Sequence, residues 1–417
     1  MPLHLSPETQ RIGRLGKYDV LGRVATGGMA EILLARQVSS HGLLRHVVLK
    51  RMLPHAARDS AVVDMFVQEA KLAMHLKHPG ICTIYEFGRE QGRYFIAMEW
   101  VHGVSLASLI ERAKSRGGLP LPIAAKIIAD VGEALDYAHR VTDPTGHPLG
   151  VVHRDVTPEN IMISYDGHVK LLDFGVASVV HQRNRTQAGV LKGKFAYMSP
   201  EQYKGIGADA RSDVFSLGVC LYEAVTGTDL FHRNNEYETV AAIVLDDAVP
   251  PPKSIRPDLP PSIDSLVTEA LQKDPTLRLE SAEAMHRRLS KYLAEQGEVI
   301  TPTRIGEYVK ELFAAEVAAG AEFETEGVEV RGDSMLLQSQ RPPRGSMPAR
   351  AVSPSGRPKP EPPVEPTAQL VSSAEADQAV REMTRARKRR SAFVGIFVFA
   401  LIACGLVAVV VALLRRP

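Results

Sequence analysis

At 417 residues the chain exceeds one average domain without requiring two. Its formal net charge of +2 sets no global polarity, so no nucleic-acid partner is expected. The three cysteines, Cys82, Cys220 and Cys404, lie far apart with no CxxC spacing, which excludes a disulfide framework and a zinc site and fits a reducing compartment.

In chain order, residues 1–17 contain no apolar run of the kind a secretory signal carries. The segment Val24, Ala25, Thr26, Gly27, Gly28, Met29, Ala30, Glu31 and Ile32 reads as a strand, a glycine turn and a returning strand. Lys50 ends the strand-like run Val47–Leu49, and Glu69 sits in the helix-like stretch Ala61–Leu76. A second strand-like run, Tyr94–Met98, leads into Glu99, Trp100 and Val101. Helical periodicity returns over Ile123–His139 and Asp213–Val225. Between those helices, two β-type apolar runs, Leu149–Val152 and Val169–Leu172, each precede a polar motif. The first motif is His153-Arg154-Asp155-Val156-Thr157-Pro158-Glu159-Asn160, the second Asp173-Phe174-Gly175.

Further on, Ile305, Tyr308, Val309, Leu312 and Phe313 make an apolar stripe at helical spacing, expected to cover the body of the domain. From about 332 the chain turns Pro-rich and loses periodicity, the signature of an extended, disordered linker. Ala392 to Leu414 then carries no charge and no proline; at about 1.5 Å per residue it reaches about 34 Å, enough to span a bilayer core. Arg385, Arg387, Lys388, Arg389 and Arg390 precede this span, and Arg415 and Arg416 follow it. That bias places the N-terminal side in the cytoplasm.

The two motifs, in this order and spacing, resemble the protein kinase superfamily, specifically the bacterial branch of eukaryotic-type (Hanks-type) Ser/Thr kinases. The resemblance implies an α+β, bilobal fold, with a β-rich N-lobe and a helical C-lobe over residues 18–293. A helical appendage at 294–331, a linker at 332–391 and a transmembrane helix at 392–414 are expected to follow. It implies ATP and Mg²⁺ as cofactors and protein Ser/Thr hydroxyls as acceptors. Asp155 takes the acceptor proton, Lys50 aims at the phosphates with Glu69 as its ion-pair partner, and Asn160 and Asp173 hold the metal. The glycine-turn segment 24–32 covers the phosphates, while backbone groups from Glu99 to Val101 meet adenine, with Met98 as gatekeeper. Glu201 of Ser199-Pro200-Glu201 pairs with Arg278, and Asp213 holds the backbone of the catalytic loop.

The chain departs from the family pattern at four places. Ala25 and Ala30 stand where the first and third loop glycines belong. Thr157 replaces a lysine, and Lys194 replaces a threonine after Gly193. Lys194 either supplies charge that Thr157 lacks or merely faces solvent. The leading expectation is a single-pass kinase at the inner (plasma) membrane, anchored in the lipid bilayer by its C-terminal helix with the kinase domain cytoplasmic. It would autophosphorylate at Thr186, just after Arg183 and Arg185, and dimerise through Ala400, Cys404, Ala408 and Ala412. The alternative is a nucleotide-binding pseudokinase scaffold that recruits partners to the membrane.

Overall fold

The structure is a computed structural model that describes residues 13–38, 43–174, 194–233, 235–244, 249–297 and 299–319. All of these lie in the first of two units, Met1–Arg341; the second is Pro342–Pro417. The expected linker, membrane span and basic run, Gly175, Thr186 with its neighbouring arginines, Gly193 and the Lys194 side chain lie outside the described residues. Among the described residues no helix is long and apolar enough to cross a membrane.

Six strands build the N-lobe: β1 (Gly13–Leu15), β2 (Tyr18–Thr26), β3 (Ala30–Val38), β4 (Leu44–Met52), β5 (Ile84–Glu90) and β6 (Arg93–Glu99). They form one antiparallel sheet in the order β1-β2-β3-β4-β6-β5. Because successive side chains alternate between faces, Val47, Leu49, Phe95 and Ala97 pack with Tyr18, Val20 and Leu33 on one side. Met52, Ile96 and Met98 pack on the other side against Phe66 and Ala70 of α1 (Ser60–Ala73). Lys50 pairs in register with Ile96, so the same alternation turns it toward α1. Met65, Phe66, Glu69, Ala70 and Ala73 are the buried residues of α1, one helical face, and Glu69 is its only carboxylate.

The C-lobe joins a small sheet, β7 (Gly103–Ser105), β8 (Ile161–Ser164) and β9 (Val169–Leu171), to a helical core. Its helices are α2 (Leu106–Ala113), α3 (Leu121–Arg140), α4 (Pro200–Lys204), α5 (Ala210–Thr226), α6 (Glu236–Val244), α7 (Pro261–Ala270), α8 (Ala282–Glu295) and α9 (Pro302–Leu312). Helix α5 is buried on all sides from Ser212 to Val225 and forms the axis of the lobe. This is the expected bilobal kinase architecture.

The stripe on α9 behaves as its periodicity requires. Ile305, Val309, Leu312 and Phe313 are buried in the C-lobe core, and Arg112 of α2 lies 4.5 Å from the Phe313 ring. Two glycines permit the contact: a Cβ on Gly167 would meet the Pro302 carbonyl at 1.7 Å, and one on Gly306 the Tyr165 carbonyl at 2.6 Å.

One expectation about strands needs correction. Leu149–Val152 is not a strand: Gly150 takes φ +62°, and the next two amides are taken by a side chain of α5 instead of a neighbouring strand. The sheet also includes β1, which pairs Leu15 with Tyr18 across a Gly16–Lys17 turn.

Candidate active site

The cleft is built around Lys50. Its ammonium lies 2.6 Å from Glu69 Oε1 and 3.2 Å from Asp173 Oδ1, so β4, α1 and the Asp173 turn meet at one cation. Burial alone would lower the Lys50 pKa, but the carboxylates of Asp173 and Glu69 outweigh it and hold the group above its ordinary value. Glu69 is raised, first by burial and opposed by Lys50, with Asp173 adding repulsion. One buried ammonium thus serves two carboxylates.

The catalytic loop is fixed from beneath by α5. Asp213, fully buried, accepts the His153 and Arg154 amides at 2.7 Å each and His139 Nε2 at 2.8 Å. The His153 ring is buried, which pulls its pKa down and keeps it neutral. Its Nε2 donates to the Leu172 carbonyl at 2.8 Å, leaving Nδ1 to accept the Asp155 amide at 3.2 Å. This one ring ties the loop of Asp155 to the residue before Asp173, and it packs 4.6 Å from the buried ring of Phe174. Arg154 and Asp173 both adopt positive φ, +65° and +47°, conformations that non-glycine residues keep only where the surroundings impose them.

Asn160 donates through Nδ2 to the carbonyl and the carboxylate of Asp155, at 2.7 and 3.0 Å. Its amide oxygen is therefore directed away from Asp155. That oxygen and the partly exposed Asp173 carboxylate form a hard-oxygen pair that fits Mg²⁺, which ordinarily takes one or two protein carboxylates and completes its shell with phosphate and water. Among the described residues no larger group of metal-ligating side chains occurs.

The glycine turn closes simply. Gly27 N donates to the Ala30 carbonyl at 2.8 Å, and a Cβ on Gly28 would meet nothing within 4 Å. Val24, Ala25 and Thr26 end β2 just before this tip, and Met29 follows it, packed against the cluster of Met52 and Ile96. Ala30 is buried against Met52 and Ala56, so its methyl is used for packing. Glu31 bonds Arg51 at 2.9 Å and pairs in register with it, on the sheet face opposite Lys50. Ile32 pairs with Lys50 itself. The part Glu31 takes in the loop is therefore through its backbone. At the hinge, the Glu99 amide is committed to the Thr83 carbonyl at 2.8 Å and its carboxylate to Lys170 at 3.0 Å. No hydrogen bond among the described residues engages the Val101 backbone.

Thr157 is 1 % exposed, and its hydroxyl has no partner among the described residues. The Glu201–Arg278 pair forms as expected, with two contacts at 2.8 and 3.1 Å. Sequence reasoning missed three residues: His139 on Asp213, His55 whose Nε2 donates to the Gly28 carbonyl at 2.8 Å, and Gln202 beneath Arg154. Each acts across a long sequence separation, and no local pattern marks it.

Comparison with known proteins agrees with this geometry. The protein kinase domain model matches residues 18–290. The tyrosine-protein kinase MasK of Myxococcus xanthus is 36% identical over 382 residues, covering 83% of this chain and 59% of that protein. The serine/threonine-protein kinase PknB of Mycolicibacterium smegmatis is 36% identical over 279 residues, 66% of this chain and 42% of that protein. The serine/threonine-protein kinase PrkC of Bacillus subtilis is 33% identical over 270 residues, 65% and 39%. The chain therefore spans less than two thirds of the length of each of these relatives. The crystal structure of the Mycobacterium tuberculosis PknI kinase domain superposes with a TM-score of 0.51 at 25% identity, covering 68% of this chain and 98% of that one. With the Lys50–Glu69–Asp173 cluster and the Asp213-held loop inside the matched region, the chain belongs to the protein kinase domain family.

Proposed function

We propose that the protein is an ATP-dependent protein kinase that transfers the γ-phosphoryl group to Ser/Thr hydroxyls of protein substrates. The observation that carries this reading is Lys50 bridging Glu69 and Asp173 at 2.6 and 3.2 Å, while Asn160 contacts the Asp155 carboxylate. Lys50 directs its ammonium to the α- and β-phosphates; Asn160 and Asp173 hold Mg²⁺, which when bound neutralises phosphate charge. Asp155 orients the acceptor hydroxyl and takes its proton. The acceptor oxygen forms the new bond to Pγ as the bond from Pγ to the β-bridging oxygen breaks, releasing ADP. The intact constellation disfavours the scaffold alternative.

A second reading concerns the acceptor. MasK, named as a tyrosine kinase, aligns well past the kinase domain, and Thr157 leaves no cation at its position in the catalytic loop. Tyrosine hydroxyls are therefore the alternative acceptor. Label from γ-labelled ATP, followed by phosphoamino-acid analysis, tests both readings. Phosphoserine and phosphothreonine support the first, and phosphotyrosine the second. Label retained by Asp155→Asn protein would overturn the mechanism.

Anchoring through 392–414, a cytoplasmic kinase domain, autophosphorylation at Thr186 and dimerisation through the small-residue face complete the proposal. Their support is the apolar span, its flanking arginines and the placement of Thr186 among basic residues. Recovery of full-length protein in the soluble fraction would refute the anchor.

A further inference from the structure

Gln202 is 5 % exposed in α4. Its Oε1 accepts the Ser199 amide at 2.9 Å and the Ser199 hydroxyl at 3.0 Å. That fixes the orientation of the side-chain amide, because the oxygen end is consumed by two donors. The nitrogen end then points at the Arg154 carbonyl, 3.2 Å away. This carbonyl belongs to the peptide unit whose nitrogen is the Asp155 amide, and that amide is held by His153 Nδ1 at 3.2 Å. The peptide plane immediately before Asp155 is therefore gripped at both ends. It needs to be: Arg154 sits at φ +65°, which an unrestrained arginine leaves readily.

We infer that Gln202 is a positioning residue for Asp155, coupling the start of α4 at Ser199 to the orientation of the aspartate that receives the acceptor proton. The inference deepens, and rests on, the phosphotransferase reading above. Two other anchors of the loop, Asp213 and His153, come from α5 and from the loop itself. Gln202 ties the loop to α4, so its loss is felt in turnover and not in nucleotide binding.

Two substitutions separate the two ends of the amide. Gln202→Glu keeps an acceptor for Ser199 and removes the donor to Arg154; Gln202→Met removes both while keeping length and apolar fill. In the full chain, kcat with a peptide acceptor falls about tenfold in both variants, the rate equivalent of one lost buried hydrogen bond, while KM for ATP stays within about twofold. Hydrogen exchange at the Asp155 amide accelerates about tenfold in both. A purely structural role predicts instead that folded Gln202→Glu protein turns over like the wild type. Unchanged kcat and unchanged Asp155 exchange in either folded variant overturn the inference. If Gln202→Glu fails to fold, Gln202→Met decides. If the wild type transfers no phosphoryl group, the functional reading falls and the exchange measurement alone decides this one.

Discussion

The catalytic loop and the glycine turn are held by opposite strategies. Asp213, His153 and Gln202 take part in five hydrogen bonds that hold the backbone of residues 153–155 and the His153 ring. The turn at Gly27–Gly28 has one closing backbone bond and one exposed tether, His55 to the Gly28 carbonyl. Proton acceptance requires an aspartate placed to a fraction of an ångström, which only an over-determined backbone supplies. A loop that admits and releases a nucleotide is drawn from the low-stability end of the structure. The exposed Ala25 beside the turn fits that looseness, whereas the Ala30 methyl is held in the packing against Met52 and Ala56.

The contrast breaks most severely at its deepest anchor. Asp213→Ala strands two buried amides and His139, and should cost about 5 kcal/mol in urea unfolding together with nearly all transfer activity. Next comes the pair that anchors α4. Arg278→Ala leaves Glu201 without its buried partner, a loss of about 3–4 kcal/mol. Although burial alone would raise Glu201, its bonds to Arg278 and Ser212 hold the carboxyl below the ordinary range. The stability this supplies is present above about pH 4.5 and disappears as pH falls through the folded value, and the variant loses that acid sensitivity.

Glu223 of α5 gives the opposite slope. Burial raises its carboxyl to about 7 from 4.5, against the lowering effect of the Tyr197 hydroxyl bonded to it at 2.7 Å. The folded state then binds this proton more tightly than the unfolded state does. Stability from this group is complete below about pH 4.5 and declines by up to about 3 kcal/mol as pH rises through 7. Glu223→Gln flattens that decline in thermal melts taken across the range. At the small end, His55→Ala frees the glycine turn and changes KM for ATP by less than about threefold, with no shift in unfolding midpoint.

Much of this was legible in the sequence because the family motifs are contiguous. Lys50, Glu69, Asp155, Asn160 and Asp173 converge in the structure, and the helices around Ala61–Leu76, Ile123–His139 and Asp213–Val225 stand where their periodicity put them. The α9 stripe was equally readable, since 3.6-residue spacing needs a surface to cover. The apolar run Leu149–Val152 misled because composition does not reveal that Gly150 turns left-handed or that Asp213, about 60 residues away, claims the next amides. Gln202 and His55 were invisible for the same reason: each meets a backbone carbonyl brought near only by the tertiary fold.

The central claim is that Lys50 and Asp173 share one nucleotide cleft with the metal ligands, and calorimetric titration of the protein with ATP, with and without Mg²⁺, tests it most directly. Wild-type protein should bind ATP much more tightly with Mg²⁺, and Asp173→Asn should lose that dependence while remaining folded. Binding indifferent to Mg²⁺ in the wild type, or unchanged by Asp173→Asn, would contradict the account.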